Sequence, residues 1–324
     1  MPKRALAIGL SILVLVLLVI YYEIGPKPRR ELVRVVTPPS IIASLPVWVA
    51  DRERMFENAN LDVAFVDVTN SRMMVEAMLA GNADVLPAVS LVDLTAVGSP
   101  GNQALMHMVM YSHSRMRKQP AFESILVGTG STTSTLKDIE GKKVAVYPGI
   151  SSELAVRHFL KVNGVDSSRV TFVKLPPQEH EPALLKGDVS AIHVYEPFRS
   201  ASLENRKTRE LTGSIYASFT DPSAIGTSAI ARSFLRNRPE VAQRFLEVWD
   251  RAVVFIRENP GEARRILQEK LGLSNAVAQS ATWVDATTTR ETDFTVISNT
   301  VRTAQEASII SEAFQLEKDM VYVP

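Results

Sequence analysis

Met78-Leu79-Ala80-Gly81-Asn82-Ala83-Asp84-Val85-Leu86 runs out of a helix, through a glycine turn and into an apolar strand. Leu184-Leu185-Lys186-Gly187-Asp188-Val189-Ser190-Ala191-Ile192 makes the same move about 107 residues later. Read outward from these two turns, the likeness grows. Upstream of the first lie the strand Val33-Arg34-Val35-Val36, the polar turn Thr37-Pro38-Pro39-Ser40, a helix from about Leu45, and the strand Val63-Ala64-Phe65-Val66-Asp67-Val68. Upstream of the second lie Val144-Ala145-Val146-Tyr147, the turn Pro148-Gly149-Ile150-Ser151-Ser152, a helix from Glu153, and Val170-Thr171-Phe172-Val173-Lys174-Leu175. Residues 33–90 and 143–198 therefore each read strand, polar turn, helix, strand, helix, strand. Solenoid repeats recur every ~20–50 residues, so this longer period predicts a duplicated α/β lobe. Two such lobes with a cleft between them imply a protein that closes on a small ligand.

Composition narrows the functions open to such a fold. The chain of 324 residues is 46% apolar and 22% charged, an ordinary globular balance. With 36 basic and 35 acidic residues its net charge is +1, which is no footprint for nucleic acid. It has no cysteine, which removes disulfides, thiolate metal sites and cysteine nucleophiles together. The five histidines, His107, His113, His158, His180 and His193, include no i, i+4 pair, so no metal site is expected and no cofactor is implied. His193 alternates with Ile192 and Val194 and reads as structural. No Gly-x-Ser-x-Gly elbow is present either, and the chain reads as a binder rather than an enzyme.

The leader is a separate problem. Residues 5–22 carry no charge and follow Lys3-Arg4. As a helix they would rise about 27 Å, close to the ~30 Å hydrocarbon core of a bilayer. The segment ends Val19-Ile20-Tyr21-Tyr22-Glu23, which fits a small-residue cleavage site poorly. Residues 1–30 are therefore expected to be an uncleaved membrane anchor plus a stiff Pro26-Lys27-Pro28 linker.

Several stretches carry a family resemblance. Ser44-Leu45-Pro46-Val47-Trp48-Val49-Ala50, Phe56-Glu57-Asn58-Ala59-Asn60-Leu61-Asp62-Val63, the Leu79–Val85 turn, Leu136-Lys137-Asp138-Ile139-Glu140-Gly141-Lys142-Lys143-Val144-Ala145-Val146 and Tyr195-Glu196-Pro197-Phe198 occur in order over residues 31–270. Together they resemble the solute-binding proteins of ABC importers, in the NMT1/THI5-like group that captures sulfonates, nitrate, taurine and thiamine-precursor-like molecules. That resemblance implies a type II periplasmic-binding-protein fold: two doubly wound α/β lobes joined by two crossover strands. Lobe I is expected at 31–120 plus 217–324 and lobe II at 121–216, with the crossings near 122–128 and 214–220. The implied partners are a small-molecule solute and an ABC permease, and the implied location is the extracytoplasmic face. The alternative is a tethered sensing or presentation domain acting through another protein. The chain departs from the pattern at Ser190, where the family usually has aspartate, and after about Leu273, where no motif is placed.

In open α/β sheets, ligands sit beyond the carboxyl ends of the strands, where helix amino-termini favour anions. Three such points are legible: residues 37–44, 87–90 and 149–152. They nominate Ser40, Ser44, Ser90, Ser151 and Ser152 as ligand contacts, with Ser40 and Ser151 preferred because each lies just before its helix. Ser44, Ser90 and Ser152 also stand where a serine would cap its own helix. Glu196 ends a strand at the expected cleft edge. There it either meets an amine-bearing ligand or opens the next helix, its charge favoured by the dipole.

Overall fold

The structure is a computed structural model and describes residues 29–38, 41–68, 70–97, 106–113, 121–224 and 226–322. The expected anchor and Ser40 lie outside these residues. Among the described residues, no helix is long and apolar enough to cross a membrane.

The duplication read from the sequence is present element by element. Strand β1 (Glu31–Thr37) leads to helix α1 (Leu45–Arg52), β2 (Leu61–Asp67), α2 (Ser71–Leu79), β3 (Val85–Ser90) and α3 (Leu91–Val97). After β4 (Met106–His113) and β5 (Glu123–Gly128) the pattern returns. It comprises β6 (Lys143–Val146), α4 (Ser151–Val162), β7 (Thr171–Lys174), α5 (Pro177–Lys186), β8 (Ala191–Tyr195) and α6 (Phe198–Glu204). Parallel pairing gives the order β2-β1-β3 in one sheet and β7-β6-β8 in the other. The two glycine turns match in their bonding. Gly81 and Gly187 are both left-handed, at φ 75° and 83°, a conformation glycine adopts without steric cost. Asn82 N donates to Ala77 O, and Asp188 N to Ala183 O. Asp84 N then donates to Arg34 O, and Ser190 N to Lys143 O.

The two turns differ in what the side chain at this position does. The Asp84 carboxylate accepts from Arg34 N at 2.8 Å, Arg34 Nε at 3.1 Å and Arg34 Nη2 at 2.6 Å, pinning β1 to the turn before β3. The matching residue on β6 is Lys143, whose backbone carbonyl takes the Ser190 N–H at 2.8 Å, the same main-chain bond that Asp84 makes to Arg34, so Ser190 keeps the shared tie without a carboxylate.

Both sheets extend beyond the repeat by antiparallel strands. Strands β9 (Thr208–Gly213), β10 (Gly226–Ala231) and β11 (Asp285–Ala286) complete the orders β11-β4-β10-β3-β1-β2 and β7-β6-β8-β5-β9. Residues 123–128, expected as a crossing, form the antiparallel strand between β8 and β9. The return passes through a 3-10 turn, Ile215–Ser218. Strands β1, β3 and β6 read as near-continuous apolar runs because helices cover both their faces.

The first core packs α1, α7 (Pro239–Glu258) and α8 (Pro260–Leu271) against the first sheet, with Trp48 and Trp249 inside it. Pro at the first turn starts both late helices, and left-handed Gly272 ends the second, as the sequence predicts. The tail without a motif belongs to this core: Ile297, Val301 and Ala304 of α9 (Phe294–Glu306) and the later Met320 and Val321 are buried in it. The second sheet has a separate cluster on each face.

Candidate functional site

The carboxyl ends of β1, β2 and β3 from one sheet and of β6 and β8 from the other meet at one cleft of about 140 Å³. That is near the ~150 Å³ of an engineered cavity that takes benzene. Pro38, Ile41 and Ala43 follow β1, Asn70 and Ser71 follow β2, and Ala88, Val89 and Ser90 end β3. From the other sheet come Tyr147, Pro148, Ser151 and Ser152 after β6, and Tyr195 at the end of β8. Asp93, Phe122, Tyr216 and Gly226 complete the lining.

Of the predicted serines, Ser90, Ser151 and Ser152 come together here. Ser44 does not: it is fully buried, its Oγ has no partner, and its neighbour Ala43 lines the cleft instead. Capping explains none of the three that converge. Ser90 Oγ is buried without a partner, although Ser90 N donates to Ser71 Oγ at 3.2 Å. No bond joins Ser90 Oγ to Asp93 at the start of α3. Ser151 and Ser152 are the first residues of α4, and Ile150 holds the capping position.

Ser152 is occupied by its own surroundings. Its Oγ accepts from Tyr147 N at 3.3 Å and lies 3.0 Å from His193 Nδ1. His193 is fully buried, and burial, helped by nearby His180, pushes its pKa down to about 3. The ring is therefore neutral, which agrees with the structural role read from its alternation. Beside it the Tyr195 and Tyr216 hydroxyls touch each other. Tyr147 packs edge-on against Tyr195 with centroids 4.5 Å apart, and its own hydroxyl is buried with no partner.

Glu196 is not among the lining residues. Its carboxylate is fully buried and accepts from Ser200 Oγ at 2.9 Å, Ser200 N at 3.2 Å and Arg199 Nη1 at 3.3 Å. It opens α6, which is the second of the two readings open in the sequence. Arg199 carries the network on to Glu210 and Ser124.

The cleft residues that sequence reasoning misses obey the rule that found the others. Asn70 caps α2 by accepting from Met73 N at 2.9 Å, directly after a parallel strand. Tyr147 and Tyr195 stand at strand ends too, and their apolar bulk disguises them as core.

The helices α2 and α4 both begin at the cleft wall, so unpaired backbone N–H groups and two dipole ends face it. No lysine or arginine lines it among the described residues. Asp93 supplies a carboxyl whose pKa is raised by burial first, against the lowering pull of Ser151 and Arg72. Among the described residues no three histidines or carboxylates gather as metal ligands.

A family model described as NMT1/THI5 like matches residues 42–263. A protein of Bacillus subtilis named as an aliphatic sulfonates-binding protein is 28% identical over 156 residues, 48% of this chain and 46% of its own length. The chain thus spans about half the length of that relative. The alkanesulfonate-binding protein SsuA of Xanthomonas axonopodis pv. citri, solved with MOPS bound, superimposes with a TM-score of 0.72. It is 18% identical, and the match covers 92% of this chain and all 100% of that one. The fold is also shared with the desulfurization enzyme DszB, at a TM-score of 0.62 and 11% identity over 87% of this chain and 94% of that one.

Proposed function

The chain belongs to the NMT1/THI5-like family, and on that premise we propose that it captures a small polar or anionic solute in the interlobe cleft for delivery to an ABC permease. The observation that carries this reading is the convergence of strand ends from both sheets, and of the starts of α2 and α4, on one small cleft. A solute held there touches both sheets, and bridging is what makes a closed state depend on its ligand. Lobes I (31–120 plus 217–324) and II (121–216) would close by bending at the two passages between the sheets.

The reading is of binding without catalysis. Ser152 and His193 resemble a nucleophile and its base, but His193 is held neutral well below the working range of a general base, and no carboxylate bonds its free nitrogen. We place the domain on the extracytoplasmic face, carried by the uncharged leader, because a delivery protein serves a membrane permease.

A thermal melt of the purified full-length chain against nitrate, sulfate, alkanesulfonates, aminosulfonates and pyrimidines tests the proposal. A ligand at 100 times its Kd adds about 2.7 kcal/mol of stability. A shift for one chemical class that Ser151→Ala abolishes supports capture. No shift from any of them, in protein shown to be folded, defeats it and favours a tethered domain whose partner is a protein.

A further inference from the structure

Two residues of the cleft lining, Ser90 and Tyr147, carry hydroxyls that are buried without a hydrogen-bond partner. They come from opposite walls: Ser90 ends β3 of the first sheet, and Tyr147 directly follows β6 of the second. Their surroundings bond everything but these two groups. Ser71 Oγ accepts from Ser90 N at 3.2 Å, Ser152 Oγ accepts from Tyr147 N at 3.3 Å, and the Tyr195 and Tyr216 hydroxyls bond each other. Packing holds the tyrosine in place, since its ring meets His180 and Tyr195 edge-on with centroids 5.1 and 4.5 Å apart, and the residue is 8% exposed. A hydroxyl that gives up water without gaining a partner disfavours the state that buries it. Each of the two therefore weighs against this arrangement of the lobes around an empty cleft, by about tenfold in population.

We propose that Ser90 and Tyr147 are the residues that make closure conditional on an occupant. The solute presents one acceptor atom to each hydroxyl, and an empty cleft parts so that water can serve both. The proposal rests on the capture reading and adds a rule of specificity to it. A molecule that fits by shape but brings no acceptor to one wall leaves that hydroxyl unbonded and is rejected. Because the two donors belong to different sheets, a solute seated on one wall alone satisfies only one of them, and the second is met only when the walls come together.

Thermal melts and isothermal titrations of the full-length chain test it, with nitrate, sulfate, 1-propanesulfonate, 2-aminoethanesulfonate and cytosine as probes. Without a probe, Tyr147→Phe and Ser90→Ala should each melt higher than the wild type, by about 2 °C, because each removes a hydroxyl that bonds to nothing. Tyr195→Phe takes a bonded hydroxyl from the same lining and should melt lower. With the probe that binds the wild type most tightly, Tyr147→Phe and Ser90→Ala should each lose about tenfold in affinity. Stability and affinity thus move in opposite directions, which side chains that merely pack do not produce. A melt at or below the wild type for either variant, or an unchanged affinity in either, overturns the proposal and leaves capture standing. Failure of all five probes to bind the wild type defeats capture and the proposal with it.

Discussion

Arg199→Met tests whether the second lobe is held by a buried ionic network. Arg199 is 7% exposed, and its guanidinium reaches Glu196 Oε1 at 3.3 Å, Ser124 Oγ at 2.8 Å and Glu210 Oε2 at 2.5 Å. It thereby ties α6 to β5, β8 and β9. Methionine fills most of its volume but leaves the Glu196 carboxylate, 0% exposed, without its ion-pair partner. Removing one partner of a buried pair costs about 3–5 kcal/mol. Glu210 is more accessible and recovers solvation, so Glu196 dominates the loss. The folding constant should fall by between about two and four powers of ten, read as a lower urea midpoint at constant slope. Glu196→Gln in the same chain removes the stranded charge and should restore most of the loss. Glu196→Gln alone should leave solute affinity at the wild-type level, because the carboxylate lies outside the cleft lining. A cost below about 1 kcal/mol for Arg199→Met, or a double variant no more stable than the single one, would refute the reasoning.

Three other outcomes follow from the same structure. Asp84→Ala removes three bonds from the Arg34 backbone and guanidinium and should cost about 2–3 kcal/mol in chemical denaturation; Asp84→Asn should cost less. Glu123 is fully buried, with Oε1 accepting from Tyr216 N and Oε2 unpartnered, and burial raises its pKa to about 8. The folded chain thus keeps a proton that the unfolded chain releases above about 4.5. Its contribution is full below that pH and declines, by about a factor of ten in folding constant per unit, as pH rises toward 8. The difference in melting between wild type and Glu123→Gln should accordingly grow in favour of the variant over that window, and a flat difference defeats the assignment. Ser152→Ala strands the Tyr147 N–H and the His193 ring nitrogen and should destabilise by about 1–3 kcal/mol, seen as a lower melting temperature before any ligand is added.

What is legible in the sequence is whatever depends on local chemistry. Gly81 and Gly187 announce their turns because a left-handed residue there suits glycine, and Pro239, Pro260 and Gly272 punctuate the late helices for equally local reasons. Ser90, Ser151 and Ser152 can be found because strand ends and helix starts have a signature. Residues whose roles depend on a distant element cannot. Ser44 is the immediate neighbour of Ala43 in the cleft lining, yet its hydroxyl is buried in packing. Glu196 looks identical on paper whether it meets a ligand or Arg199, and three-dimensional packing alone decides. Asp93 reads as part of the cap of its own helix, yet it lines the cleft together with Ser151 from the other sheet. The short β11 escapes notice since two residues carry no periodicity, and its pairing with β4 supplies what its sequence lacks.

The insertion of β10 between β3 and β4 bears on the order in which the molecule is made. Gly226 pairs with Ser90 and Ile230 with Val85, contacts separated by on the order of 140 residues whose closure awaits nearly the whole second lobe. Strands β5 to β9 form their sheet from one uninterrupted stretch, so on a growing chain the younger half acquires its partners first. The older half emerges earlier from the ribosome but waits with β3 unpaired along one side. Such a chain stays threadable longer than one whose leading sheet is self-contained. A chaperone that shields the waiting edge therefore has to hold residues 31–113 until residue 231 has been synthesised.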